Sequence, residues 1–233
     1  MIDFKLPGLG IALTLTAYLL ARLFYQASNK STWFQPVVLG VLFVLLGLYV
    51  FDIPYERYFQ DNGIIHFLLS TATVALAIPL YQNAGLVRHC WRALLITLLI
   101  GGALSSLSAV GIAWILGASP DVLLSIAPKS VTTPFAIAIS NEIGGLPGLA
   151  AALVIISGII VAAIASPVFS VLKLDDVVVR GSVMGMIGHG IATARAVEMD
   201  MKTAAFSALS MGLMGIYTSL CLPWAIWLIR SVS

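Results

Sequence analysis

Six stretches of this chain, residues 6–21, 31–51, 62–87, 93–120, 143–172 and 203–229, contain no aspartate, glutamate, lysine or arginine. A helix needs roughly 17–25 predominantly apolar residues to cross the hydrocarbon core of a bilayer, so each run is long enough, or nearly so, to span it once. The composition agrees. With 60% hydrophobic residues, 9% charged and a mean hydropathy of +1.04, too few polar groups exist to cover a water-soluble surface. The expected fold is all-α, a polytopic membrane protein with about six full transmembrane helices forming a single transmembrane domain over residues 1–233. Two further segments, near 121–145 and 177–202, are apolar but interrupted by glycine, proline and ionisable residues. They are read as broken or re-entrant helices.

The first run starts close to the N-terminus and passes into Arg22 and polar sequence without a small-x-small cleavage site. It is therefore expected to be a retained span rather than a signal peptide. With no Arg- and Ser-rich transit segment before it, the expected location is a bacterial inner, cytoplasmic membrane. A net charge of +2 is too small to imply nucleic acid as a partner. Its distribution gives an orientation: Arg22 and Lys30 fall in the first loop and Arg88 and Arg92 in the third, while the stretch 52–61 between them is acidic and rich in tyrosine. Cytoplasmic loops carry the excess of Lys and Arg, which puts the N-terminus outside. Cys90 and Cys221 are too far apart in sequence to form a disulfide framework or metal motif, and no cofactor or metal is expected.

The stretch Pro128-Lys129-Ser130-Val131-Thr132-Thr133-Pro134 sets a lysine and three hydroxyls between two prolines. Proline suits the first position of a helix, with Thr133 before it as the cap, and the open N–H groups of such a terminus beside a lysine make an anion site. The helix that follows would end at Gly144-Gly145, too short to cross the membrane, as in the half-helices with which carriers hold anionic groups near the midplane. A second interruption is expected at Gly188-His189-Gly190, after Gly181, Gly185 and Gly188 have given one bare helical face. Arg195 and Glu198, three apart, can pair on one face and so lower the cost of charge near lipid. A third segment, 70–81, loosely echoes 130–140 through Ser70, Thr73 and Pro79, and His66 lies one turn before it.

The residues Ala118-Ser119-Pro120-Asp121, Pro128 through Pro134, Ile143-Gly144-Gly145-Leu146-Pro147, Arg180-Gly181 and His189-Gly190-Ile191-Ala192-Thr193-Ala194-Arg195, with Thr73 through Tyr81, closely resemble the LrgB/CidB family over nearly the whole chain. One departure is Gly188, where that family usually has a small hydroxylated residue. The resemblance implies either of two functions. One is a holin- or antiholin-like modulation of murein hydrolases and autolysis; the other is transport of small carboxylates such as pyruvate, glycolate and glycerate, as in plastidial relatives. It also implies a smaller membrane protein of the LrgA/CidA type as partner.

A holin-like pore needs only oligomerising amphipathic helices, whereas intramembrane ionisable groups and two helix breaks suit a carrier, so transport leads. The expected substrate-binding residues are Thr73, Lys129, Ser130, Thr132, Thr133, Asn141, His189 and Arg195. Glu142, His189 and Glu198 are the candidates for proton coupling. Besides lipid, a small carboxylate and the LrgA/CidA-type protein, further copies of the chain are expected partners. An enzyme built on Ser130 and Lys129 is disfavoured, because chain neighbours rarely point at one another and no histidines stand four apart.

Overall fold

The computed structural model describes residues 8–28, 34, 36–75 and 77–232, and the chain forms two compact units, residues 1–75 and 76–233. Every regular element among the described residues is an α-helix. In the first unit these are α1 (Leu9–Ala27), α2 (Pro36–Val50), α3 (Tyr55–Asp61) and α4 (Gly63–Ala75). The second contains α5 (Ala77–Gln82), α6 (Ala84–Ile115), α7 (Pro120–Ile126), α8 (Thr133–Ile143), α9 (Pro147–Val171), α10 (Val177–Met199) and α11 (Met201–Val232). The protein is a polytopic, all-α membrane protein. Among the described residues five helices, α1, α6, α9, α10 and α11, are long and apolar enough to cross a bilayer.

Four of the six apolar runs appear as α1, α6, α9 and α11. The run 31–51 gives a shorter helix, the 15-residue α2, about 22 Å at 1.5 Å per residue. The described residues of the run 62–87 are helical over α4 and α5, and Asn83 separates α5 from α6.

In the first unit α1 and α2 lie side by side, with the Leu13 side chain over Gly47 and the Phe24 and Phe43 rings 5.8 Å apart. The acidic stretch after α2 folds back onto the start of α1. There the Gly10 N–H donates to Asp61 Oδ2 at 3.2 Å, satisfying one of the free N–H groups of that helix, and Thr14 Oγ1 donates to Asn62 Oδ1 at 3.0 Å.

In the second unit α9 is the common support. Its buried Ala150 and Val154 share one apolar core with Val131, Ile139, Ile143, Met186 and Met214, while Ala165 and Phe169 share another with Met184, Ala192, Ala196 and Ala204.

The helix α10 does not run straight. Its backbone leaves helical geometry at His189, with φ 42° and ψ −136°. Arg180 and Met199, nineteen positions apart, would be separated by about 28 Å along an unbroken helix. Instead both line one cleft. The contacts with α11 give the direction of each half. The bare faces of Gly181 and Gly185 meet the carbonyls of Thr203 and Ser207 in turn, so the first half runs parallel to α11. On the second half, Thr193 Oγ1 lies 2.8 Å from Ser207 Oγ, and the chain turns at Asp200 to enter α11, so this half returns. The segment 177–199 is thus a re-entrant hairpin with His189 at its turn, as the glycines around that residue suggested. Gly188, expected on the same face as Gly181 and Gly185, instead meets Val161 of α9.

Candidate functional site

The first break is built by two tight turns. The Lys129 N–H donates to the Ile126 carbonyl at 3.1 Å and the Val131 N–H to the Pro128 carbonyl at 3.3 Å. The helix α8 then begins at Thr133, with Thr132 (φ −71°, ψ 154°) as its cap, so the expectation of Thr133 as cap and Pro134 as first residue is off by one position. The reason lies in the first helical hydrogen bond: the Ala136 N–H reaches back to the Thr132 carbonyl at 3.0 Å. No side-chain cap bond forms at this end, leaving the N–H groups of Thr133 and Phe135 without a protein acceptor among the described residues.

At the other end Gly144 takes φ 86°, and the Gly145 N–H closes the helix on the Ser140 carbonyl at 2.7 Å. That is the left-handed cap the glycine pair implied. The Leu146 N–H then donates to Ser125 Oγ at 2.7 Å, so the chain returns beside the residue it left 21 positions before. Residues 125–146 thus form a re-entrant excursion of their own, with Lys129 and Ser130 at its far side.

Lys129 Nζ donates to Ser105 Oγ at 3.1 Å and to Ser130 Oγ at 3.3 Å, and these two hydroxyls lie 2.9 Å apart. The expectation that Lys129 and Ser130 face apart is corrected. Consecutive tight turns rotate the backbone enough to put both side chains against α6. Two of the three ammonium protons are thereby engaged and one remains. Lys129 is half-buried, and among the described residues no carboxylate pairs with it. The loop is also tied down from both sides, by Ser106 Oγ donating to the Ala127 carbonyl at 2.9 Å and Ser157 Oγ to the Lys129 carbonyl at 3.0 Å.

The second break meets the same turn of α9. His189 is 3% exposed, and its Nε2 donates to the Val154 carbonyl at 2.9 Å. The ring lies against Gly158, where a Cβ would come within 2.6 Å of Cε1. Residues 154, 157 and 158 share one helical face, so a single turn of α9 holds both Lys129 and His189. That turn is roughly 10–17 Å along a helix of about 37 Å, well inside a hydrocarbon core of about 30 Å.

The other expected residues are distributed as follows. Thr132 and Thr133 stand at the start of α8, beside the Lys129 loop. Asn141 and Glu142 are exposed at its opposite end, about 12 Å further along. Arg195 and Glu198 form the anticipated pair, Nη1 to Oε2 at 2.6 Å, on the returning half of the second hairpin, roughly 9–13 Å beyond His189. The side chain of Thr73 lies outside the described residues, as do those of Ser70 and His66. Sequence reasoning missed Ser105, Ser157 and Gly158. The cluster Ser105-Ser106-Leu107-Ser108 within an apolar run was a usable signal for the first. Nothing local marks the other two.

The geometry has a counterpart in known sequences, since the model of the LrgB-like family matches residues 14–228. The chain belongs to the LrgB-like family. Among its relatives is an uncharacterized protein of Haemophilus influenzae, 32% identical over 205 residues, a match covering 86% of this chain and 87% of the relative. No solved structure matches the chain. In this LrgB-like protein, then, two re-entrant segments bring a cation, a hydroxyl pair, an open helix start and a buried imidazole to one turn of a spanning helix. Chemically, such a set can hold a small anion.

Proposed function

We propose that this LrgB-like protein is a carrier of small monocarboxylates, of the pyruvate, glycolate or glycerate class, coupled to protons and resident in a bacterial inner membrane. The observation that carries the reading is Lys129, a half-buried ammonium with no carboxylate partner among the described residues, at the far side of a re-entrant excursion. A lone charge in apolar surroundings is costly, and Lys, Asp and Glu inside membranes are normally paired or functional. A carboxylate about 4 Å away gains roughly 4 kcal/mol of Coulomb attraction at an effective dielectric constant of about 20, before desolvation. The third Lys129 proton and the open N–H groups of Thr133 and Phe135 supply its hydrogen bonds.

His189, on the second hairpin and the same turn of α9, is the preferred coupling group; Glu142 and Glu198 lie further from Lys129 along their helices. The substrate-bearing part moves as a rigid body against a scaffold made by the remaining helices, copies of the chain and a small LrgA/CidA-type protein. A holin- or antiholin-like modulator of murein hydrolases is the competing reading, and it gives no role to an unpaired lysine.

The test is uptake of labelled pyruvate, glycolate and glycerate into liposomes containing the purified chain, with and without an imposed pH gradient. We expect saturable, gradient-stimulated uptake of at least one acid by the native protein and background uptake by Lys129→Ala. Equal leakage of carboxylates and an unrelated dye, unaffected by the substitution, would replace the carrier with a pore.

A further inference from the structure

The base of the second hairpin, at the opposite end from His189, carries a polar cleft of about 340 Å³ lined by Ser166, Phe169, Ser170, Lys173, Asp175 and Arg180, with Met199. Just before it, the surface of α9 is lipid-like: Val168, Val171 and Leu172 are 40%, 80% and 60% exposed. The cleft therefore begins where apolar surface gives way to charge. In a bilayer that is the level of the phospholipid phosphates.

Two cations meet there, held in different ways. Arg180 is fixed by three contacts: its Nε donates to the Leu174 carbonyl, its Nη2 to Asp175 Oδ1 at 2.7 Å, and its guanidinium carbon sits 5.9 Å from the centre of the Phe169 ring. The Asp175 side chain is 90% exposed, which makes this a weak, replaceable ion pair. Lys173 is exposed and pairs with no acid among the described residues. It also occupies the left-handed position that ends α9, at φ 53°, while the Lys173 N–H donates to Ser170 and the Leu174 N–H to Phe169. Glycine fits that place at lower cost, so the lysine there sits against a backbone preference.

We propose that this cleft binds the phosphate of an anionic phospholipid, with Lys173 and Arg180 as its cations, the Ser166 and Ser170 hydroxyls as donors, and the exposed end of α9 alongside the acyl chains. The placement at the edge of the apolar surface favours a lipid over a soluble phosphate, and the unpaired lysine favours a net negative headgroup over a zwitterionic one.

Lys173→Gly separates ligand from fold, because glycine adopts the observed φ without strain. The full chain in detergent would be titrated with dioleoylphosphatidylglycerol or dioleoylphosphatidylcholine, and bound lipid counted by native mass spectrometry. A parallel titration uses inorganic phosphate. We expect the native protein to prefer phosphatidylglycerol, and Lys173→Gly to lower its occupancy about fivefold, as loss of one surface cation implies, without lowering the melting temperature. Lys173→Asn, which also tolerates a left-handed backbone, should behave alike, and Asp175→Asn should raise occupancy by freeing Arg180. Unchanged phosphatidylglycerol binding by both Lys173 variants would overturn the site. Displacement of the lipid by millimolar inorganic phosphate would overturn its assignment to lipid.

Discussion

Lys129 and His189 touch the same turn of α9 under different constraints. Lys129 is held by hydroxyls that can exchange partners, so removing one should weaken ligand binding without unfolding the protein. Hydrogen bonds to charged groups contribute about 1.5–3 kcal/mol, and Ser105→Ala is therefore expected to raise the half-saturating carboxylate concentration at least about tenfold, read from uptake rates in liposomes. His189 is held by a strained backbone as well as a hydrogen bond, a conformation that costs of order 1–3 kcal/mol outside glycine. Two substitutions divide these roles. Glutamine keeps a donor for the Val154 carbonyl but cannot titrate near neutrality, so His189→Gln should stay folded and flatten the pH dependence of uptake. His189→Gly relieves the strain but also removes the buried ring and its hydrogen bond, and should lose the same pH dependence. An unchanged uptake profile across pH 5.5–8 in both variants would make the imidazole structural and return the search for coupling to Glu142 or Glu198. At this scale the sequence was readable where chemistry is rare, as with a lysine and a histidine in hydrocarbon. It was silent where the role is shape, as with Gly158.

At the scale of the element, the second hairpin depends on close backbone approach to α11. A methyl group at Gly185 would meet the Ser207 carbonyl, a rigid backbone atom, whereas at Gly190 the nearest atom is Met211 Sδ at 3.9 Å. Gly185→Ala should therefore cost about 3 kcal/mol, the scale of overpacking, and Gly190→Ala little or nothing, as measured by thermal unfolding in detergent. Equal melting of the two would mean that α11 can move away from the hairpin without loss. Asp200 ends the hairpin and starts α11, accepting from the Thr203 N–H at 2.8 Å and the Thr203 hydroxyl at 2.6 Å. Burial raises its pKa, but these bonds, another from the Lys202 N–H and the nearby Arg180 charge outweigh that and leave the carboxyl below its ordinary value. A carboxyl lower in the folded than in the unfolded chain stabilises above the unfolded value of about 3.9, and that contribution is lost as pH falls through the folded value. The native protein should thus lose melting temperature on acidification below about pH 4 more steeply than Asp200→Asn, already weakened at neutral pH. Both breaks were legible because glycine and proline carry backbone meaning. The reversal of α10 was less so, since only placements of residues far apart in sequence, Arg180 and Met199 on one cleft and Gly185 against Ser207, fix its direction.

For the whole molecule, hydropathy established the solvent and the all-α class, because a chain this poor in charge has few alternatives. It could not count crossings, since apolarity is the same for a segment that passes through and one that turns back. The segment 177–199 is long and apolar enough to pass for a span, yet it leaves and returns at the same end of α9. The distinction is one of parity. If the hairpin contributes no net crossing, everything after Asp200 emerges on the opposite side from the one a simple helix count assigns. Folding reporters joined after Leu172 and after Asp200, one fluorescent only in the cytoplasm and one active only outside it, should give matching signals at the two junctions. Every later question of which compartment a residue faces, from the end of α11 to a docking partner, inherits the answer.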